Sequence, residues 1–308
     1  MDSLQKLLFS QANARGETVV VEDSFLSAIE HQHLPLAVQR LAGEVTAAAL
    51  LSAAAISYDG TVILQIEGDG PVKLLIVEVQ SDLTYRLSVT LREHKKDCDP
   101  NAQMKALINE NGKGRCALIL DPNDRPQGVP PYQGVVSLEG DTFAQVMEHY
   151  FEKSEQVPTQ MVLTSDDKRA AGILLQKLPA LGGQKLPDDY DETAFDRLKM
   201  FLNTVKSEEL LTLSPEEINR RLFWEESPRV LLEATPTFKC RCSDEAVKSM
   251  IRSLGKDEAQ AIVKEEGAIT VTCHFCGKVR SFDPIDVETL FSTQPVQEGS
   301  KGEPGVCA

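Results

Sequence analysis

Four cysteines in two close pairs constrain this chain more than any other feature. Phe238-Lys239-Cys240-Arg241-Cys242 is followed, thirty residues on, by Cys273-His274-Phe275-Cys276-Gly277. Two sulfurs from each of two knuckles supply the tetrahedral, all-thiolate shell that zinc takes in structural sites. Gly277 lets the backbone take a positive φ just after the last cysteine. The first pair has one intervening residue where ordinary ribbons have two, and the gap is longer than in those ribbons. His274 sits between two ligands and could compete for a position, but a fourth cysteine makes it unnecessary. Spacing alone fits a plain structural staple as well as a site with a further role. It argues against a zinc hydrolase, because four cysteines close the position that a catalytic ion keeps open.

The remaining composition narrows the function classes. A chain of 308 residues has room for roughly two domains and a sizeable core. Its 47 acidic residues against 32 basic ones give a formal charge of −15, which argues against general phosphate contacts. The reading as a nucleic-acid or translation-factor zinc ribbon therefore predicts a basic face of which the sequence shows no sign. Met1-Asp2-Ser3-Leu4-Gln5 has neither a basic leader nor a cleavable apolar segment. The longest apolar run, near Ala47 to Ile56, is too short to span a bilayer and is expected as a buried helix. Seven cysteines with four at metal spacing do not make a secreted disulfide framework, so a reducing cytosol is expected.

Along the chain, residues 4–8 (Leu4, Leu7, Leu8) predict a short helix before a strand at Thr18–Val21. Helices are expected over 24–32 and over 34–56, the second with a small-residue apolar face suited to packing under a sheet. After Tyr58-Asp59-Gly60 the pattern turns to strands, and Gly68-Asp69-Gly70-Pro71 marks a hairpin between 61–67 and 72–79. Further strands are read at 83–93, 115–120, 133–138, 161–164 and 171–176, with a helix from Asp141, its expected cap, to about Phe151. Leu181-Gly182-Gly183 and the acidic run 188–192 read as a linker carrying amphipathic helices. Phe195, Leu198, Phe201, Leu202 and Val205 form one stripe. Ser214-Pro215-Glu216-Glu217 opens a second helix with Ile218, Leu222 and Phe223 on one face. Helices so short need something to lie on. The C-terminal module takes Ser243 as a cap, helices near 243–253 and 257–265, and a hairpin flanking the second knuckle. Its expected core is Phe238, Met250, Ile251, Ile262, Val271, Phe282 and Leu290, small enough to depend on metal.

Other candidates are weaker. His31 and His33 form a pair with no third ligand and read as surface residues. Asn111-Gly112-Lys113-Gly114 lacks phosphate-loop spacing. Cys98 is expected to be exposed and Cys116 a buried packing thiol. His94 and His149 have carboxylates nearby but no nucleophile, and no hydrolase elbow, HExxH or dinucleotide fingerprint occurs, so the chain is not expected to be an enzyme.

Together the parts resemble one family over nearly the full length: the 33 kDa heat-shock proteins, bacterial redox-regulated holdase chaperones. The carrying segments are Tyr58-Asp59-Gly60 with Leu64-Gln65-Ile66-Glu67-Gly68-Asp69-Gly70-Pro71, Tyr132-Gln133-Gly134-Val135-Val136 with Leu138-Glu139-Gly140-Asp141, and Tyr150-Phe151 with 154–159. Ala170-Ala171-Gly172, Glu208-Glu209-Leu210-Leu211 and Arg221-Leu222-Phe223 follow, and the CxC…CxxC signature falls on Cys240, Cys242, Cys273 and Cys276. The tail with Cys307 is not part of the pattern. The resemblance implies an α+β fold with a mixed α/β core domain at 1–179, a helical linker at 180–236, a zinc domain at 237–292 and a disordered tail at 293–308. It implies one zinc per reduced chain on the four cysteines, and an oxidised form with Cys240–Cys242 and Cys273–Cys276 disulfides in which zinc is lost and the linker released. Unfolding client proteins would then bind apolar surface, with Phe195, Leu198, Phe201, Leu202, Ile218, Leu222 and Phe223 as candidates. It implies a homodimer when oxidised, a bacterial cytoplasmic location, and neither a nucleic-acid nor a membrane partner.

Overall fold

The segment expected to open the chain as a helix is a strand in the computed structural model, which describes residues 1–56, 58–93, 98–126, 128–179 and 190–292. β1 (Ser3–Phe9) pairs antiparallel with β2 (Ala14–Val21) from Ser3↔Val20 to Phe9↔Ala14. The Leu4–Leu7–Leu8 spacing fits one helical turn, but pairing with β2 overrides that local preference, and Leu4 and Leu7 end on opposite sides of a sheet.

That sheet has five strands in the order β10-β1-β2-β9-β8, with β8 at Thr159–Ser165, β9 at Ala170–Lys177 and β10 at Arg229–Ala234. A six-stranded sheet runs β11-β5-β4-β3-β6-β7. It comprises β3 (Gly60–Glu67), β4 (Val72–Gln80), β5 (Thr84–Leu91), β6 (Arg115–Pro122), β7 (Tyr132–Val136) and β11 (Thr237–Phe238). β3 and β4 form the expected hairpin, with Thr61 opposite Gln80. β11 joins β5 in parallel, and the other pairings are antiparallel.

α1 (Asp23–Ile29) leads into α2 (Leu36–Ile56), which packs against strands of both sheets. One core results, in which Leu41, Val45, Ala48 and Leu51 of α2 meet Val19 of the first sheet and Leu64 and Leu75 of the second. The helix lies so close to the β8–β9 turn that a Cβ on Gly43 would collide with Ser165. α4 (Phe143–Lys153) is capped by Thr142, not by Asp141: Gln145 N–H donates to Thr142 Oγ1 at 3.3 Å, and Gln145 Oε1 accepts from the Asp141 and Thr142 backbone. α3 (Met104–Ile108) was not foreseen.

On its other face the five-stranded sheet carries three short helices, α5 (Ala194–Leu202), α6 (Ser207–Leu210) and α7 (Pro215–Phe223). α7 has the expected start, with Ser214 in a reciprocal capping box with Glu217 and proline in the first turn. Much of the segment read as the start of a linker, including Leu181-Gly182-Gly183, Asp188 and Asp189, lies outside the described residues, as do His94 and the tail from Thr293 with Cys307.

By packing, the chain divides into two units, Met1–Cys240 with His274–Cys276, and Arg241–Cys273 with Gly277 onward. The second holds α8 (Asp244–Leu254), α9 (Lys256–Glu266), the hairpin β12 (Ile269–Thr272) and β13 (Val279–Phe282), and an unforeseen α10 (Pro284–Ser292). Its core is Ile251, Ala259, Val263, Ile269, Phe282, Val287 and Leu290, with Ile262 and Val271 at the margin. Two expected members fall elsewhere. Met250 is 45% exposed, because α8 buries Ile251 alone and the next position back on the helix turns toward solvent. Phe238 belongs to β11 and stacks edge-on against Tyr85, with ring centroids 6.5 Å apart.

Candidate metal centre and the covered face of the sheet

The knuckle between β12 and β13 is set by its backbone. Gly277 takes φ +67° as its position required, and its N–H donates to the Cys273 carbonyl at 2.8 Å. The Cys273 N–H donates to the Lys278 carbonyl at 3.0 Å, closing the loop at the open end of the hairpin. On the other arm, Cys242 directly precedes the α8 cap, where Ser243 Oγ accepts from the Ala246 N–H at 3.1 Å.

The sulfurs of Cys240, Cys242, Cys273 and Cys276 lie within 4.8 Å of one another, each half-buried and none in a disulfide. A zinc–sulfur bond of about 2.3 Å gives a tetrahedron with edges of about 3.8 Å, so this donor set fits a four-thiolate ion with little movement. Among the described residues this is the one cluster suited to a metal, and His274 is not a member.

Arg280, which the sequence reading missed, braces the site. It alternates inward with Phe282 on β13, donates from Nε to Asp244 Oδ1 at 2.6 Å and from Nη2 to Cys242 Sγ at 3.5 Å. That hydrogen bond holds the Asp244 carboxyl below the ordinary carboxylate range. A donor aimed at a ligating sulfur orients it and favours its thiolate. The available signal was a cation on the inward parity of a short strand.

The seven candidate client-binding residues share one place, the apolar layer between α5, α6 and α7 and the five-stranded sheet. Phe195, Leu198, Leu202, Ile218 and Phe223 are buried there, with Phe201 and Leu222 half-buried at the rim. Their sheet partners include Leu7, Phe9, Val20, Ile173 and Leu175, and Phe9 meets Phe223 edge-on at 5.1 Å. The helices are tied down at their ends by Arg197, which bonds both oxygens of Glu226 (2.5 and 3.0 Å) and Asp191 (2.9 Å). Hydrogen bonds from Thr193 and then Arg197 hold the Asp191 carboxyl down at about 2.

Cys98, expected to be exposed, is half-buried against the main core, and burial pushes the Cys116 thiol up to about 12. No helix among the described residues is long and apolar enough to cross a membrane.

Comparison with known proteins then bears on this geometry. A family profile described as Hsp33 protein matches residues 2–283. The 33 kDa chaperonin of Methylobacillus flagellatus is 38% identical over 300 residues, covering 97% of each chain. That of Chromobacterium violaceum is 39% identical over 292 residues, covering 94% of each. A crystal structure of a 33 kDa chaperonin from Thermotoga maritima superposes with a TM-score of 0.76 at 20% identity, covering 94% of this chain and 98% of the other, a likeness of fold.

Proposed function

The chain belongs to the Hsp33 family of chaperones, and on that premise we propose that it is a redox-switched holdase that needs no ATP. The observation that carries the reading is the convergence of four reduced thiols, from two arms thirty residues apart, on one point. When bound there, zinc would supply a folding free energy of about 10 kcal/mol or more to a unit whose own core has seven buried apolar residues. Cys240, Cys242, Cys273 and Cys276 would hold it, oriented at Cys242 by Arg280.

Peroxide oxidises Cys273 and Cys276 to a disulfide: two thiols give up two electrons and two protons, and the peroxide leaves as two waters. Two ligands are thereby lost. Cys240 and Cys242 then pair in the same way. Loops this short constrain the unfolded chain weakly, so the disulfides do not rebuild what the ion held. With the small unit unfolded, α5, α6 and α7 leave the sheet, and the apolar layer around Phe195, Leu198, Phe201, Leu202, Ile218, Leu222 and Phe223 becomes available to unfolding proteins in a stressed bacterial cytoplasm. The 47 acidic residues keep such complexes soluble. In this reading the functional divisions are 1–179, 180–236 and 237–292, and the oxidised form is a homodimer.

The test is aggregation of a denaturant-unfolded client, followed by light scattering, with reduced metal-loaded protein and with peroxide-treated protein. Protection only after oxidation, reversed by a dithiol, together with release of one zinc per chain, is the expected result. Equal inactivity of both forms would reduce the four cysteines to a staple.

A further inference from the structure

The apolar layer under the linker helices has one polar seam. Thr18 in β2 donates from Oγ1 to Asn219 Oδ1 in α7 at 2.6 Å, and Asn219 Nδ2 donates to Gln5 Oε1 in β1 at 2.7 Å. Gln5 Nε2 continues to Glu233 Oε1 in β10 at 2.9 Å. Thr18, Asn219 and Gln5 are 1%, 4% and 5% exposed, and Asn219 is the single polar residue among the buried positions of the described linker.

Asparagine in the middle of a nine-residue helix is a poor choice for helix stability. Its side chain is satisfied in one register only. A small lift or slide of α7 breaks both bonds while Thr18, Gln5 and Asn219 are still shielded from water, which is the costly condition for a polar group. A complete departure lets water satisfy all three. A seam made apolar at all three positions would have the opposite profile, tolerant of sliding and penalised on release. The seam therefore makes docking all-or-none and reversible, as a buried polar pair does when it fixes register at a cost in stability.

We propose that Asn219, clasped by Thr18 and Gln5, is a latch that sets when the linker leaves the sheet, a positioning residue whose role rests on the redox-switched reading above. The seam also reaches the switch. Glu233 belongs to β10, and the chain runs from there through β11 to Cys240, the first candidate ligand. Loss of order at Cys240 thus works on the β10 end of the hydrogen-bonded chain, and the disturbance passes to Asn219 through Gln5.

The experiment compares three full-length proteins: wild type, Asn219→Ala, and Gln5→Met/Thr18→Val/Asn219→Leu, which replaces the seam by apolar groups of similar size. Hydrogen exchange of 194–223 and of α2, emission of the lone Trp224, thiol and zinc content, and client protection are read in reduced and oxidised forms. Reduced Asn219→Ala should keep its zinc and four thiols yet exchange at least about tenfold faster across 215–223, with α2 unchanged and client protection without oxidant. The triple variant should oxidise and lose zinc normally while 194–223 stays protected and client protection falls several-fold. Asn219→Ala exchanging like wild type, accelerated exchange in α2 to the same degree, or a triple variant released as readily as wild type would each overturn the latch. If wild type itself gains no activity on oxidation, the functional reading fails while exchange in the reduced proteins still decides the latch.

Discussion

The two faces of the five-stranded sheet are sealed by opposite means. On one, a single 21-residue helix lies between this sheet and the other with fifteen of its residues buried, and the polar groups of β1 and β2 that point the same way are ionic. Lys6 Nζ donates to the Ala54 carbonyl and Arg15 to that of Ala55, capping the C-terminus of α2, with Glu17 fully buried between them. On the other face three helices of nine, four and nine residues do the covering, and the next residues of the same strands, Gln5 and Thr18, are neutral. Removing one member of a buried ionic cluster strands a charge, at about 3–5 kcal/mol, whereas neutral amides rehydrate readily. Residue by residue, one strand pair thus builds a face made to stay closed and a face made to open.

The strongest way to break this comparison is to remove the metal. Chelation at neutral pH withdraws a term of about 10 kcal/mol or more, so α8, α9 and α10 should melt, read as lost helical ellipticity. Amide exchange across 194–223 should rise while α2 keeps its protection. Equal loss in α2 would make the two faces one cooperative unit and end the distinction. A smaller effect sharpens it. Leu50→Ala in α2 and Leu198→Ala in α5 each delete a fully buried leucine, at about 3 kcal/mol. Leu50→Ala should lower the global melting point and leave the reduced protein without holdase activity. Leu198→Ala should leave the main transition nearly unchanged and give client protection before oxidation. The same phenotype from both would show that the faces do not differ in kind.

These differences were unevenly legible in the sequence. α2 was plain, since its apolar spacing runs on for 21 residues and leaves no strand alternative. The Ser214–Glu217 box with Pro215 and the CxC…CxxC pairs were equally plain, because their chemistry is local. β1 was misread because seven residues with leucines at 4, 7 and 8 satisfy either period, and only pairing with β2 decides. β10 left no trace, since as an edge strand it is exposed on both sides and never alternates. Asp141 and Thr142 can each cap a helix, and Gln145, three residues after Thr142, was the deciding signal. The seam was beyond reach, for Gln5 and Asn219 stand 214 positions apart and neither is unusual alone. Arg280 likewise declares itself only once β13 fixes its parity and Asp244 and Cys242 stand beside it.

The gentlest test of the comparison is pH. The Glu17 carboxyl oxygens lie beyond hydrogen-bond distance of any partner, with Lys6 Nζ at 3.8 Å and Arg15 Nε at 4.0 Å, and Gln176 on β9 engages the same arginine. Burial outweighs these two cations and pushes the carboxyl up to about 7, while burial also lowers Lys6 and Arg15. A carboxyl raised above its unfolded value of 4.5 leaves the folded state holding the extra proton between those limits. Its contribution is therefore complete below 4.5 and is lost as pH rises toward 7, with a slope of at most about 1.4 kcal/mol per pH unit. Glu17→Gln removes this slope, so the difference between wild type and variant in denaturant stability should change across pH 5–7 and be flat above it. The linker face, which has no buried ionisable group in its seam, should show no such dependence in exchange at 215–223. Parallel stability curves for wild type and Glu17→Gln would mean that Lys6 and Arg15 keep the carboxylate charged, so that the cluster under α2 is permanently ionic and the two faces of the sheet do not differ in pH dependence.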